Sequence, residues 1–394
     1  MNIAICVRAI QTDGSNHFAQ KLGVVLHESG HRVAILAPQP RSVEPTMMAP
    51  GLRFLSIAQG RLESVAEAVR RLGRLFKTEK FDVVFVVAGM PIPNLEHAWG
   101  LLPDSTAMVP LVVGDRDHVY EPTKRTSAYW NVAVAISPRL QQETERRIPG
   151  KPVRLLATGV DLTSDEDLSS RIPFSKPLKL LYVGRLFGRK NVHLLPAIVA
   201  ECRARELPVT LTIVGHGDDR ASLAQLCQEY EVSQQIRFEV APTQADLYRI
   251  FREHHVSLLT SEIGEGLGLV LLEAQANGCV PVASRIPGVT DFAIQEGVTG
   301  LLAEIGDARS FTDQIERLMH QAYWDAMSRA AIARMPGCFS LAEMSKAYEG
   351  LLKELQQGQY ALAPARSECV QPSLGIQNYL PGPIYRMVNR LNRF

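Results

Sequence analysis

Two stretches of this chain repeat the same alternation of a short apolar run and a helical or polar segment. The first stretch opens with Asn2 to Val7, continues through a helix that ends at Ser29, and returns as Arg32 to Ala37 after the turn Gly30-His31. This order predicts a βαβ unit. Further apolar runs follow at Val83–Ala88, Met108–Val113 and Val132–Ile136. Apolar runs of this kind predict a parallel sheet that is covered by helices on both faces.

The alternation starts again at Leu178, after a stretch rich in Ser, Asp, Glu and Pro at Thr163 to Pro177 that we interpret as a linker. The second series of strands is predicted at Leu178–Val183, Val209–Val214, Ile236–Val240, Val256–Thr260 and Cys279–Ser284. Helices are predicted to end near Arg205, to begin at Asp219, to cover Asp246–Glu253 and Leu267–Asn277, and to begin again near Asp307. A second doubly wound sheet fits a chain of 394 residues, which is too long for one ordinary core.

Composition narrows the class of function. Hydrophobic residues make up 46% of the chain and the net charge is only +1, so no global excess of charge indicates nucleic acid as the main partner. The six cysteines lie far apart without a Cys-x-x-Cys pair, which favours a reduced compartment and neither zinc nor a disulfide framework. The first apolar run meets Arg8, and no charge-free apolar stretch reaches about 18 residues. We therefore expect a cytoplasmic protein.

The loop after Leu178–Val183 carries a candidate phosphate site in the segment Gly184-Arg185-Leu186-Phe187-Gly188-Arg189-Lys190. Ligands of open α/β sheets bind beyond the carboxyl ends of the strands, and glycines, fixed cations and a following helix suit a diphosphate there. Arg185 can fork across two oxygens, while Lys190 supplies a point charge. The alternative is an ordinary solvated basic loop.

A second candidate segment runs from Glu265 to Ala274. Gly266 and Gly268 would open a helix in which Leu269, Leu272 and Ala276 form the buried stripe. Glu273 would lie at the edge of that stripe, where a carboxylate needs a polar partner such as the hydroxyl pair of a ribose. Alternatively, Glu273 caps a backbone group or pairs with an Arg. Glu265 could reach a transferred sugar or complement the helix dipole.

These segments resemble the retaining GT-B glycosyltransferases of family 4, and the resemblance extends to about Leu352. Glu265 and Glu273 match the Glu-x7-Glu motif of that family, and Gly184-Arg185-Leu186-x3-Lys190 precedes it at a fitting distance. Weaker matches are Asp13-Gly14, Gly30-His31-Arg32-Val33, Gly159-Val160-Asp161, Val214-Gly215-His216-Gly217 and Thr299-Gly300-Leu301-Leu302.

The resemblance implies an α/β fold of the GT-B type, with two Rossmann-like domains that face each other across a cleft. Residues 1–165 would bind the acceptor, residues 172–352 would bind the nucleotide sugar, and residues 353–394 would form a tail that returns to the N-terminal domain. The implied activity is retaining transfer of a hexose-type sugar from a UDP-, GDP- or ADP-sugar to a glycan, lipid-linked or small-molecule acceptor. The resemblance implies no cofactor and no metal ion.

The resemblance also implies roles for single residues. Glu273 would hold the donor ribose, Arg185 and Lys190 the diphosphate, and Glu265 the sugar ring. The remaining donor contacts would come from Gly14, whose lack of a side chain lets backbone amides approach, from Gly215 and Val240 beside the base, and from Gly268 and Leu269 at the start of the motif helix.

Two departures from the family pattern affect the expected chemistry. The segment Pro287-Gly288-Val289-Thr290-Asp291 stands where the family usually has Gly-Gly-x-x-Glu near the donor sugar, so the sugar preference is open. Arg116-Asp117 stands where members often carry a His-Asp pair. Either His118 serves as the catalytic histidine through a shifted loop, or Arg116 does something else, or the activity is altered. The alternative for His118 is a solvated loop residue. The letters Asp115-Arg116-Asp117 match an Asp-x-Asp metal motif but lie in the wrong domain for one.

The C-terminal segment 383–394 can form a short basic amphipathic helix. Packing on the N-terminal domain is the default expectation, and peripheral contact with the inner face of a membrane is the alternative. Two other functions compete with the transferase hypothesis. One is an epimerase or phosphorylase on the same architecture, and the other is a catalytically silent nucleotide-sugar-binding scaffold subunit, which the missing His-Asp pair would motivate.

Overall fold

Residues 1–7, 14–38, 50–60, 62–87 and 98–360 are described by a computed structural model. The chain divides into two units. The first unit comprises Met1–Ile136, Leu140–Leu156 and Met344–Phe394, and the second comprises Ser137–Arg139 and Ala157–Glu343. Each unit is built around one parallel sheet, as the two series of apolar runs predict.

The first unit has a seven-stranded sheet in the order β3-β2-β1-β4-β5-β6-β7. All its neighbouring strands pair in parallel. Its strands are β1 Asn2–Cys6, β2 Arg32–Ala37, β3 Arg53–Ser56, β4 Val83–Val87, β5 Ala107–Val112, β6 Ala133–Ala135 and β7 Val153–Leu155. Its helices in chain order are α1 Gly14–Glu28, α2 Val65–Glu79, α3 Asp117–Arg125 and most of α4 Pro138–Arg147.

The second unit has a six-stranded sheet in the order β10-β9-β8-β11-β12-β13. Its strands are β8 Leu178–Val183, β9 Val209–Val214, β10 Ile236–Glu239, β11 Val256–Leu259, β12 Val280–Ser284 and β13 Leu301–Ala303. Its helices are α5 Asp165–Ser169, α6 Leu194–Ala204, α7 Arg220–Glu229, α8 Gln244–Arg252, α9 Leu269–Ala276, α10 Thr290–Ala293, α11 Ala308–Arg317 and α12 Gln321–Cys338. The last helix, α13 Leu341–Gln356, belongs mostly to the first unit.

The strand order of each sheet defines a point where the winding reverses. In the second sheet this point lies between β8 and β11, because β9 and β10 continue on one side of β8 while β12 and β13 continue beyond β11. Loops at the carboxyl ends of the two central strands diverge there and leave room for a ligand. In the first sheet the same point lies between β1 and β4, and the loops that follow these strands, 8–13 and 88–97, are outside the described residues.

The predicted linker is part of the second unit. The division after Leu156 differs from the predicted domains 1–165 and 172–352, because Val160 N–H already donates to the Phe339 carbonyl oxygen at 2.8 Å. The polar stretch that suggested a linker forms α5, which Ser164 caps by accepting from Asp167 N–H at 3.1 Å. Composition alone does not distinguish a linker from a short capped helix.

The return to the first unit begins at Met344, nine residues before the predicted tail 353–394. Helix α13 packs within the first unit through buried Tyr348, whose ring lies 5.7 Å from that of Phe85. His31 Nε2 lies 2.7 Å from the Glu349 carboxylate. The basic amphipathic helix predicted at 383–394 lies outside the described residues.

Neither a metal cluster nor a membrane span is found in the described ranges. No group of three or more His, Cys, Asp or Glu side chains is arranged there to hold a metal ion, and no helix there has the length and apolar character needed to cross a bilayer. The five cysteines within these ranges are free thiols, four buried and one, Cys338, exposed.

Two adjacent histidines are buried in the second unit as neutral rings. His254 Nδ1 donates to the Ile250 carbonyl oxygen and Nε2 accepts from the Thr212 hydroxyl, both at 2.7 Å. His255 Nδ1 accepts from Lys179 N–H at 2.9 Å and its Nε2 faces the Pro173 carbonyl oxygen at 3.1 Å. Burial lowers the pKa of both imidazoles to about 4.

We therefore expect the free energy of unfolding to fall as the pH is lowered from about 6.5 to about 4. The unfolded chain binds these protons near pH 6.5, whereas the folded chain resists them until about 4, so stability rises with pH across this window. The loss at pH 4 is about 3 kcal/mol for each histidine. Urea unfolding at several pH values measures it. His255→Asn should remove about half of this pH dependence, because His254 remains, and the matched control His216→Asn, at an exposed position, should leave it unchanged.

Candidate active site

Two loops at the carboxyl end of the second sheet are bonded to each other through their backbones. Gly184 N–H donates to the Val214 carbonyl oxygen at 3.0 Å, and Leu186 N–H donates to the His216 carbonyl oxygen at 2.8 Å. A Cβ atom at Gly215 would lie 1.9 Å from the Gly184 carbonyl oxygen. The glycine turn after β9 therefore has a physical cause, since a side chain there would separate the two loops.

Lys190 and Glu265 form an ion pair between the loop after β8 and the loop after β11. Lys190 Nζ and Ser261 Oγ both donate to Glu265 Oε1, the second at 2.6 Å. The Thr260 hydroxyl donates to the Lys190 carbonyl oxygen at 2.9 Å. Because these two loops follow the central strands β8 and β11, the pair lies at the reversal point of the sheet.

Glu265 is a buried carboxylate, 8% exposed, that remains ionised. Burial by itself would raise its pKa, but the charge of Lys190, the hydrogen bonds from Lys190 and Ser261, and the charge of Arg189 together hold the pKa below its ordinary value. A carboxylate in this state only accepts hydrogen bonds. It can therefore bind a hydroxyl group of a ligand, and the partly buried cation Lys190 lies beside it.

Two arginines flank the ring of Phe187 in the same loop. The guanidinium carbon of Arg185 lies 4.9 Å from the ring centroid, and that of Arg189 lies 4.7 Å from it. Arg189 also donates to the Gly264 carbonyl oxygen at 3.3 Å. Arg185 is exposed, and within the described ranges its side chain has this ring contact but no hydrogen bond or ion pair.

Glu273 is buried in α9 and is 6% exposed. Gln244 Nε2 donates to Glu273 Oε1 at 3.0 Å, so an amide from α8 meets the carboxylate. Tyr248, one turn further along α8, donates to Asp161 Oδ2 at 3.4 Å, and burial together with the charges of Glu273 and Asp161 raises its pKa. Gln244 is thus one polar partner of the buried Glu273 carboxylate.

The predicted stripe of α9 is wrong in one respect. Leu269 is only partly buried, whereas Leu271, Ala274 and Gln275 are fully buried together with Leu272 and Ala276. The helix is enclosed nearly all round, and only its first turn is partly open. Gly268 begins it with φ +77°, a conformation that favours glycine. Leu269 lies in that partly open first turn.

Three other predicted site residues lie on other elements of the chain. Val240 follows β10 and is 75% exposed. Gly14 and His118 belong to the first unit, where Gly14 is the exposed first residue of α1 and His118 is exposed in the first turn of α3. Beside His118, Asp117 pairs with Arg147 at 2.7 Å. The structure brings Lys190 and Glu265 into contact and leaves His118 and Gly14 in the first unit.

The segment that replaces Gly-Gly-x-x-Glu is firmly held within the second unit. Gly288 has φ +72°, and its carbonyl oxygen accepts from Arg139 N–H at 3.1 Å. The Thr290 hydroxyl donates to the Ser284 carbonyl oxygen and accepts from Ile286 N–H, both at 2.8 Å.

Ser261 and Gln244 were not predicted as site residues, because their contacts become visible only once separate loops and helices pack together.

The sequence profile of the glycosyl transferases group 1 matches residues 164–334, the segment that contains Arg185, Lys190, Glu265 and Glu273. This segment is therefore similar to the group 1 glycosyl transferases. A D-inositol 3-phosphate glycosyltransferase of Frankia alni is 29% identical over 240 residues, which cover 58% of this chain and 53% of the relative. A lipopolysaccharide core biosynthesis glycosyltransferase of Rhizobium meliloti is 31% identical over 44% of this chain and 49% of the relative.

The chain spans about half the length of these curated relatives. Among solved structures, HepE from Anabaena in complex with UDP-glucose has a TM-score of 0.74 at 16% identity, covering 90% of this chain and 100% of that chain. At this identity the likeness shows the fold alone. The chain has the GT-B fold, as predicted.

Proposed function

We propose that this chain is a retaining glycosyltransferase that moves a hexose-type sugar from a UDP-, GDP- or ADP-sugar to a glycan, lipid-linked or small-molecule acceptor. The observation that carries the proposal is the Lys190–Glu265 pair at the reversal point of the second sheet. Lys190 lies in the same loop as a second cation, Arg185. The match of residues 164–334 to the group 1 glycosyl transferases and the similarity to two glycosyltransferases support the same class of reaction.

The cations stabilise the leaving group in this proposal. The bond between the anomeric carbon and the diphosphate oxygen breaks, and negative charge develops on the diphosphate. Arg185 and Lys190 meet that charge, and the N-terminal end of α9 adds the positive end of its helix dipole. These groups stabilise the charge without a divalent ion, so EDTA should leave the rate unchanged.

Glu265 orients the sugar in this proposal, and Glu273 binds the ribose. The ionised Glu265 accepts from a sugar hydroxyl while Lys190 and Ser261 hold its other oxygen. The acceptor hydroxyl approaches the face that the diphosphate leaves, bonds to the anomeric carbon, and passes its proton to the departing phosphate oxygen. The configuration at the anomeric carbon is thereby retained.

The test is a thermal-shift screen of nucleotides and nucleotide sugars, followed by an assay of donor hydrolysis with and without EDTA. A true donor stabilises the folded chain by mass action, with about 2.7 kcal/mol expected at 100 times the dissociation constant. Absence of any shift with UDP, GDP, ADP and their sugars would refute the proposal.

A catalytically silent binding subunit is the second candidate function. It is favoured by Arg116-Asp117 at the position of the family's His-Asp pair, and by the exposure of His118. Tight nucleotide binding without hydrolysis or transfer to any acceptor would support it. Turnover that His118→Ala reduces would support the transferase and assign His118 the role that the resemblance implies.

A further inference from the structure

The loop after β8 contains three cations, and two of them lie over one aromatic ring. Arg185 and Arg189 approach Phe187 at nearly equal distances, 4.9 and 4.7 Å, and Lys190 follows directly in the chain. Phe187 itself is extended, with φ −158° and ψ 154°, and precedes a short 3-10 helix, Gly188–Lys190. Cations over an aromatic face are attracted to its electron-rich surface, so the ring fixes the positions of both guanidinium groups.

Glu265 is the only carboxylate in the described parts of the chain that forms an ion pair with any of these three cations, and it pairs with Lys190. Burial lowers the pKa of Arg189, and the charge of Glu265 offsets this only in part. The Nε–H group of Arg189 is buried and has no hydrogen-bond partner in the described ranges. A half-buried guanidinium with an unsatisfied donor, beside a second unpaired guanidinium, is stabilised when an oxyanion arrives.

We propose that the diphosphate site contains three cations, with Arg189 as the third, and that Phe187 is the positioning residue that holds Arg185 and Arg189 toward the anion. This inference rests on the proposed function, because it assigns further residues to the same site. The ligand of this three-cation site is the diphosphate of a nucleotide, or inorganic pyrophosphate. The base and the sugar are not involved.

The experiment measures dissociation constants by calorimetry for pyrophosphate, for uridine, and for UDP, GDP and ADP, with the wild-type chain and four variants. Phe187→Leu removes the ring and Phe187→Tyr keeps it, while Arg189→Gln removes the charge and Arg189→Lys keeps it. Phe187→Leu and Arg189→Gln should each weaken binding of the diphosphate and pyrophosphate by about tenfold. Phe187→Tyr and Arg189→Lys should stay within about threefold of the wild type, and the salt dependence of binding should be shallower in Arg189→Gln.

A purely structural role makes a different prediction. Equal losses in Phe187→Leu and Phe187→Tyr, or equal losses of affinity for uridine and for the nucleoside diphosphate, would overturn the inference and leave the proposed function intact. If the wild-type chain binds no nucleoside diphosphate and no pyrophosphate, the proposed function itself fails. The arginine variants keep the test decisive even if Phe187→Leu unfolds.

Discussion

Replacing Lys190 by Met should lower the rate of sugar transfer by about 10²–10³-fold and destabilise the second unit by about 3–5 kcal/mol. The variant leaves the buried carboxylate of Glu265 without its cation, and burial then raises the pKa of that carboxyl group unopposed by Lys190. It also removes a positive charge from the proposed leaving-group site. Steady-state transfer kinetics and urea unfolding measure the two effects.

A double variant separates stability from catalysis. Lys190→Met with Glu265→Leu replaces the buried ion pair by apolar groups, which proteins often tolerate without loss of stability. We expect this double variant to recover most of the lost stability and none of the lost activity. Lys176→Met, at an exposed lysine of the same unit, is the matched control and should behave as the wild type. Recovery of activity in the double variant would contradict a catalytic role for the pair.

The elements that the sequence predicts well are the buried parallel strands. β2, β8 and β9 have the predicted bounds because each is a mostly buried and mostly apolar run with abrupt ends. The sequence analysis did not identify β3, Arg53–Ser56, whose two outer residues are exposed. At an edge of the sheet, a four-residue run with two polar members has no pattern that separates it from a loop.

The candidate site was predictable where its residues lie on one motif. Arg185, Lys190, Glu265 and Glu273 follow from loop position, spacing and resemblance, and the contact between Lys190 and Glu265 confirms that two separated segments meet. Gln244 was not predictable, because it reaches Glu273 across 29 residues from another helix. Local patterns report which face of an element is buried, and they do not report which partner lies opposite.

The alanine variant of Gly215 tests whether the backbone contact between the two loops forms the site. Its Cβ would lie 1.9 Å from the Gly184 carbonyl oxygen, which no ordinary adjustment of a side chain relieves. We expect the loops after β8 and β9 to separate, with a loss of about 1–3 kcal/mol in the free energy of unfolding. Nucleotide affinity should fall by at least about tenfold, because Arg185 follows directly after Gly184 and moves with it.

Gly188 provides the matched control within the same loop. A Cβ atom at Gly188 would meet no heavy atom within 4 Å, so Gly188→Ala should keep both stability and nucleotide affinity near wild-type values. Urea unfolding and calorimetry on the two alanine variants measure the contrast. If Gly215→Ala were destabilised but bound nucleotide normally, the contact between the loops would serve folding alone. The diphosphate site would then depend on the loop after β8 without support from the loop after β9.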